Sequence, residues 1–224
     1  MSIIVETLVT LRPPAVMPVF IEVMAEKAMP LLKRHGLDPF AAWSQAGGPA
    51  QQVMHLSRFD SLASYERARA SLEKESSRST WIVEALQGVD VTEVISVGEP
   101  SPYSPDERID RALAESGASP RKCFQRIARM RLGMEEEAKT HLAVIIREVE
   151  KNSGAIQLIT GVQSILGRRD ELKDTFILPK GQDALAEARA AEAAIEGDTV
   201  DRWHACLKEE ETLFLNPLPY SPTQ

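Results

Sequence analysis

Four histidines are spread along the 224 residues, His35, His55, His141 and His204. Imidazole is the side chain that titrates nearest neutral pH. His55 is the best candidate for acid–base work, because it sits in the strand-like run QQVMHLSRFD. Strand alternation puts Val53, His55, Ser57 and Phe59 on one face and Met54, Leu56 and Arg58 on the other, so His55 and Arg58 cannot line one cavity. The plainer reading is a histidine hydrogen-bonded between sheets, with Arg58 paired to an acidic residue such as Asp60 or Glu93. Glu6, inside the apolar strand IIVETLVTL, needs a partner if buried. It is either a general base with a raised pKa or one half of an ion pair with an arginine, and the pair is preferred. Trp43 and Trp81 could wall a pocket for an aromatic molecule. With Arg58 and Arg69 they form the expected ligand-binding set, beside His55 and Glu6 as the catalytic set. For Trp81 packing is the plainer reading, because a matching tryptophan recurs as Trp203. His35 stands at a helix end, where a cation suits the dipole. His141 and His204 have no ligand-like partner at i+3 or i+4, so no metal site is expected.

Bulk composition narrows the field. The net charge of −7 disfavours nucleic acid and anionic membrane surfaces as partners. No apolar run approaches the ~20 residues of a membrane helix. The opening MSIIVETLVTLRPP has no cationic stretch before its apolar residues, so no secretory signal is expected. Cys123 and Cys206 share no metal or redox spacing and read as free thiols in a reducing, cytoplasmic setting. There is no phosphate loop, no GxGxxG after a strand, no GxSxG elbow and no HExxH. No axial ligand for haem can be chosen among the four histidines, so no cofactor is expected.

The elements that must hold these residues come in two sets. PYSP occurs twice, ending at Pro105 and at Pro222. Each copy follows a β-rich run, VDVTEVISVGEPSP and EETLFLNPLP. Ahead of each stands a helical segment with a tryptophan, STWIVEALQG and VDRWHACLKE, and before that an Ala/Glu/Arg-rich helix, SLASYERARASLEKE and DALAEARAAEAAIEG. Arg67 and Arg189 precede the two tryptophans by the same interval. Each half opens with a strand, IIVETLVTL or KCFQRIARMRL, followed by a long helix. In the second helix Leu142, Ile145, Ile146 and Val149 make one stripe, and Glu135, Glu136 and Glu137 favour its N-terminus. Both helices stop at a glycine, Gly36 and Gly154, suited to a left-handed cap. Pro30 should kink or end the first one. FAAWSQ and QQVMHLSRFD joined by AGGPA, and IQLITGVQSIL and LKDTFILPK joined by GRRDE, supply two strands to each half. Each half therefore reads β-α-β-β-α-β, an α+β ferredoxin-like unit. The first domain is placed at 1–105, a polar linker at 106–119 and the second domain at 120–224.

The stretch GPAQQVMHLSRFDSL, Gly48 to Leu62, resembles the signature of the NIPSNAP family. Glu6, Trp43, Arg67, Arg69, Trp81 and the Pro-Tyr-Ser-Pro ending match in order. Arg126, Gly133, Trp203 and the second PYSP carry a fainter likeness in the second half. The resemblance implies a dimeric α/β-barrel, with both partners here on one chain and their sheets facing each other. Family positions differ at Leu8, Thr10, Ser57, Phe124 and Ala128. Ile177 stands where the first half has His55, and Lys180 where it has Arg58.

The resemblance supplies no reaction. The leading expectation is a protein that binds a small apolar or aromatic molecule in the first half, where His55, Arg58, Trp43 and Glu6 are kept. The alternatives are a cofactor-independent monooxygenase or isomerase using His55, and a structural assembly protein without chemistry. Assembly of the chain into a homo-oligomer is also expected to be open to it.

Overall fold

The structure, a computed structural model, describes residues 2–12, 17–46, 51–75, 90–117, 121–166, 168–181 and 183–223. Within them β1 (Ile3–Arg12) leads into α1 (Met17–Val23), a π-helical turn (Met24–Ala28) and α2 (Met29–Arg34). The strands β2 (Ala41–Ala46) and β3 (Gln52–Phe59), the helix α3 (Leu62–Glu73) and β4 (Asp90–Pro100) complete the first half. After α4 (Glu107–Ala114) come β5 (Lys122–Met130), α5 (Glu135–Ser153), β6 (Gln157–Leu166) and β7 (Glu171–Leu178). The helices α6 (Ala184–Ala193) and α7 (Thr199–Cys206) and the strand β8 (Leu207–Pro217) end the fold. The expected AGGPA loop at 47–50 and the helix at 79–88 carrying Trp81 lie outside the described residues.

The local devices follow from sequence. Pro30 does not end the first helix. It has no N–H to give, and just ahead of it Met29 N–H bonds Met24 O in i→i−5 fashion. The π turn absorbs the missing bond and Pro30 sits in the first turn of α2. Gly36 and Gly154 adopt φ of 69° and 56° at the ends of the two long helices, the caps expected of them. Along α5 the stripe Leu142, Ile145, Ile146 and Val149 is buried.

All eight strands join in one closed antiparallel barrel in the order β1-β3-β2-β8-β5-β7-β6-β4. Cut between the halves, this reads 4-1-3-2 and 8-5-7-6, the same order twice. The two sheets face each other across a lumen, and they are also joined edge to edge by β2 with β8 and β4 with β6. At the β4–β6 seam the backbones come so close that a Cβ on Gly98 would sit 2.6 Å from Gln163 O.

Period-2 alternation sorts the side chains. Ile4, Leu56, Ala41, Trp43, Cys123, Ile177 and Leu215 form the lumen core. Val53 and Phe59, on the opposite face, meet Phe20 and Tyr65 of the outer helices. The 106–119 segment is not a polar linker throughout. It carries α4, whose Ile109 and Ala112 are buried in the lumen core. Arg58 Nη2 donates to Asp110 Oδ1 at 2.8 Å, and Arg108 grips Glu150 of α5 with both Nη atoms. An amphipathic helix thus caps one end of the barrel.

Candidate functional site

The two PYSP segments end as crossed clasps. The first leaves β4 of the first half and docks on β6 and β7 of the second. Ser101 N–H bonds Gly161 O, and Gly161 N–H bonds Ser104 Oγ at 2.7 Å. The second leaves β8 and docks on β2 and β3 of the first half. Leu218 N–H bonds Ala42 O, and Ala42 N–H bonds Ser221 Oγ at 2.9 Å. Each serine satisfies a strand amide that would otherwise be buried without an acceptor. Each tyrosine then reaches the neighbouring strand. Tyr220 Oη lies 3.0 Å from His55 Nε2, and Tyr103 donates to Asp174 Oδ1 at 2.7 Å.

These bonds correct the residue matching read from sequence. Ala42 pairs with His55 and Gly161 with Asp174; Thr7 pairs with His55 and Arg126 with Asp174. The counterpart of His55 is therefore Asp174, not Ile177. The first half holds a neutral set, Thr7, His55 and Tyr220. The second holds a charged one, Arg126, Asp174 and Tyr103.

His55 is buried, and burial lowers its pKa to about 4. The ring is neutral at pH 7 and occupied by Tyr220, whose phenol burial pushes up. The acid–base role expected of it gives way to a structural tie. Glu6 points into the lumen and meets Lys173 of the second half at 2.5 Å, with Gln125 and Ser96 donating to its oxygens. The expected ion pair exists, with a lysine rather than an arginine. Around it lies a cavity of about 20 Å³, room for roughly one water. Arg58 pairs with Asp110 instead of Asp60 or Glu93. Trp43 is sealed in the lumen core with no exposure. Arg69 lies on the surface over the Tyr65 ring and near Glu73. Trp81 is outside the described residues. The five described residues among those singled out from sequence do not converge: Glu6 and Trp43 sit in the lumen, His55 lies under the outer layer, Arg58 caps an end and Arg69 is outside.

A larger cavity, about 80 Å³, lies between the outer face of the second-half sheet and α5 and α6. Its apolar wall includes Phe124, Ile146, Val149 and Phe176, with Ala188 on α6. Phe124 and Phe176 stack with centroids 4.8 Å apart. Arg126 forms the cationic wall. Its guanidinium lies 5.5 Å from the Phe176 ring and 5.3 Å from Trp203, and Nη2 donates to Asp174 at 3.0 Å. Burial opposes the charge, but Asp174, Glu210 and Tyr103 offset it, so the guanidinium stays protonated. Burial, and then Asp174, drive the Tyr103 phenol well above its ordinary value, leaving it a neutral donor. Gly161 makes room for this arrangement: a Cβ there would fall 2.5 Å from Asp174 Oδ1 and 2.7 Å from Tyr103 Cε2. Sequence reading missed Asp174 and Tyr103. The signals were present, a carboxylate inside the apolar run LKDTFIL and the tyrosine of a repeated phrase. Among the described residues no cluster of His, Cys, Asp and Glu could hold a metal ion.

An antiparallel barrel of eight strands with its helices outside, cavities in the lumen and beneath the helices, defines the dimeric α/β-barrel class. Solved structures agree at that level. A protein from Fusobacterium nucleatum, provisionally named a monooxygenase, superposes with TM-score 0.64 at 5% identity, over 97% of this chain and 92% of its own. Another from Lactobacillus acidophilus, named in the same way, gives 0.59 at 10%, over 96% and 93%. A chlorite dismutase mutant in complex with cyanide, from Candidatus Nitrospira defluvii, gives 0.55 at 8%, over 97% and 92%. At these identities the likeness is one of fold alone. No curated protein sequence matches the chain. Residues 10–95 match the NIPSNAP family model, so over that segment the chain is similar to the NIPSNAP family.

Proposed function

We propose that the protein binds a small, mainly apolar molecule, and that the site is the cavity beneath α5 and α6 in the second half rather than the first half. One observation carries this reading: a cavity of about 80 Å³ with an apolar wall of Phe124, Ile146, Val149 and Phe176, the largely buried Arg126 beside it, and charged residues at its rim. A dry cavity of ~150 Å³ holds benzene; this one, about half that size, takes a branched alkyl group or part of a ring, with the rest of the ligand at the mouth by Arg189 and Glu192. An oxygenase or isomerase built on His55 loses its base, because that imidazole is desolvated and tied to Tyr220. A purely structural role leaves the cavity without a purpose. The unpaired, buried Cys123 and Cys206 fit a reducing compartment, and a cytoplasmic location is part of this proposal. Among the described residues no helix is long and apolar enough to cross a membrane.

The test is ligand-observed NMR with ethylbenzene as the probe, alongside native mass spectrometry of freshly purified protein for a carried ligand. The wild type should bind the probe. Ala188→Phe and Val149→Phe, each filling the cavity from a different helix, should abolish binding while the protein still melts cooperatively. Undiminished binding in both folded variants rules the site out.

A further inference from the structure

Resting on that reading, the geometry points to the ligand's polar end: we infer that the cavity selects a neutral hydrogen-bond acceptor, such as a ketone or quinone oxygen, which Arg126 receives. The first observation is an unmet donor. Arg126 Nε–H is buried and finds no acceptor in the protein. Its Nη2 is committed to Asp174. A buried donor without a partner is costly, and a ligand oxygen that reaches it removes that cost.

The second observation is the charge around it. Arg126 and Arg189 face three carboxylates, Asp174, Glu192 and Glu210. The guanidinium is already matched by Asp174, and the cavity surroundings are net negative by one charge. A carboxylate ligand would add an unbalanced anion to a desolvated site, which is costly. A pure hydrocarbon would leave Nε–H unsatisfied. A neutral acceptor meets both conditions.

The third is how Arg126 is held. Asp174 fixes the guanidinium, and Tyr103, delivered by the clasp from the first half, fixes Asp174 at 2.7 Å. Phe176 and Trp203 flank the cation. Asp174 and Tyr103 are therefore positioning residues for the ligand preference, acting through Arg126.

Three probes of one shape separate the cases: ethylbenzene, acetophenone and benzoate, titrated into the intact protein by calorimetry or ligand-observed NMR. Acetophenone should bind at least tenfold tighter than either of the others. Arg126→Lys keeps a cation for Asp174 but has no Nε–H. It should bring acetophenone down to the level at which the same variant binds ethylbenzene. Tyr103→Phe should narrow the ketone preference in part. If Arg126→Lys does not fold, the paired change Arg126→Met with Asp174→Leu removes both charges and should have the same effect on the ketone. Equal binding of acetophenone and ethylbenzene overturns the acceptor selectivity while leaving the apolar site standing. Tightest binding of benzoate overturns it in favour of an anion site. Failure of all three probes to bind overturns the site and the selectivity together.

Discussion

At His55 the decisive quantity is desolvation. The ring titrates at about 4 in the folded chain against 6.5 as the free side chain. The fold thus favours the neutral ring. Its contribution is fully present above pH 6.5 and is lost as pH falls toward 4, at about 1.4 kcal/mol per unit, roughly 3 kcal/mol in all. His55→Gln, which keeps a hydrogen-bonding group for Tyr220 and does not titrate, should show a flatter fall in denaturant stability between pH 7 and 4.5 than the wild type. Parallel curves would show that the ring is hydrated in solution. At Gly161 the quantity is space. A Cβ would press on Asp174 and Tyr103, neither at the far end of a long flexible side chain. Gly161→Ala should cost roughly 1–3 kcal/mol, the range for overpacking, measured by chemical denaturation.

At the scale of elements, the clasps show how a short phrase carries structure. The two are alike in backbone bonding and differ in what the tyrosine meets. Tyr103 donates to a carboxylate, and bonds to charged groups are worth about 1.5–3 kcal/mol. Tyr220 meets a neutral imidazole, a bond worth about 0.5–1.5 kcal/mol. Tyr103→Phe should therefore destabilise the protein more than Tyr220→Phe, and equal losses in urea denaturation would contradict the charge difference. In the lumen, Lys173 is the charge that balances Glu6 where both are largely shielded from water. Lys173→Met should cost about 3–5 kcal/mol, the loss typical of breaking a buried pair from one side. Restoring neutrality with Glu6→Gln in the same chain should recover much of it.

For the whole molecule, closure is the central fact. Each half alone would expose the edges that now pair as β2–β8 and β4–β6, and it would lose the partner's PYSP clasp. Open sheet edges invite pairing with other chains. Residues 1–117 and 118–224 expressed separately should aggregate or self-pair, and expressed together should elute as one complex in size-exclusion chromatography. Two separate, well-behaved monomers would show that the seams contribute little. Trp203, fully buried beside Arg126, belongs to this same packing, and its truncation to alanine should cost about 3–5 kcal/mol.

The sequence alone indicated the order and type of most of the described elements, because period 2 and period 3.6 are local properties written in neighbouring residues. It also determined the repeated strand–helix pattern, the glycine caps at Gly36 and Gly154, and the two opposed faces of β3. Even Glu6 announced that it needed a partner. What it could not determine was which residues meet across the halves. The offset between matching positions is 119 on the first three strands of each half, as from His55 to Asp174, but 122 on the helix that follows them. The connection from β7 to α6 spans 179–183, against 60–61 between β3 and α3. A match taken at the helix offset thus lands His55 on Ile177, three residues too far. Only the closed barrel decided that Lys173 answers Glu6, that α4 is a cap, and that Tyr103 of one half steadies Arg126 of the other. Those contacts join residues far apart along the chain, and hydrogen bonds between strands fix them, not any pattern within one strand.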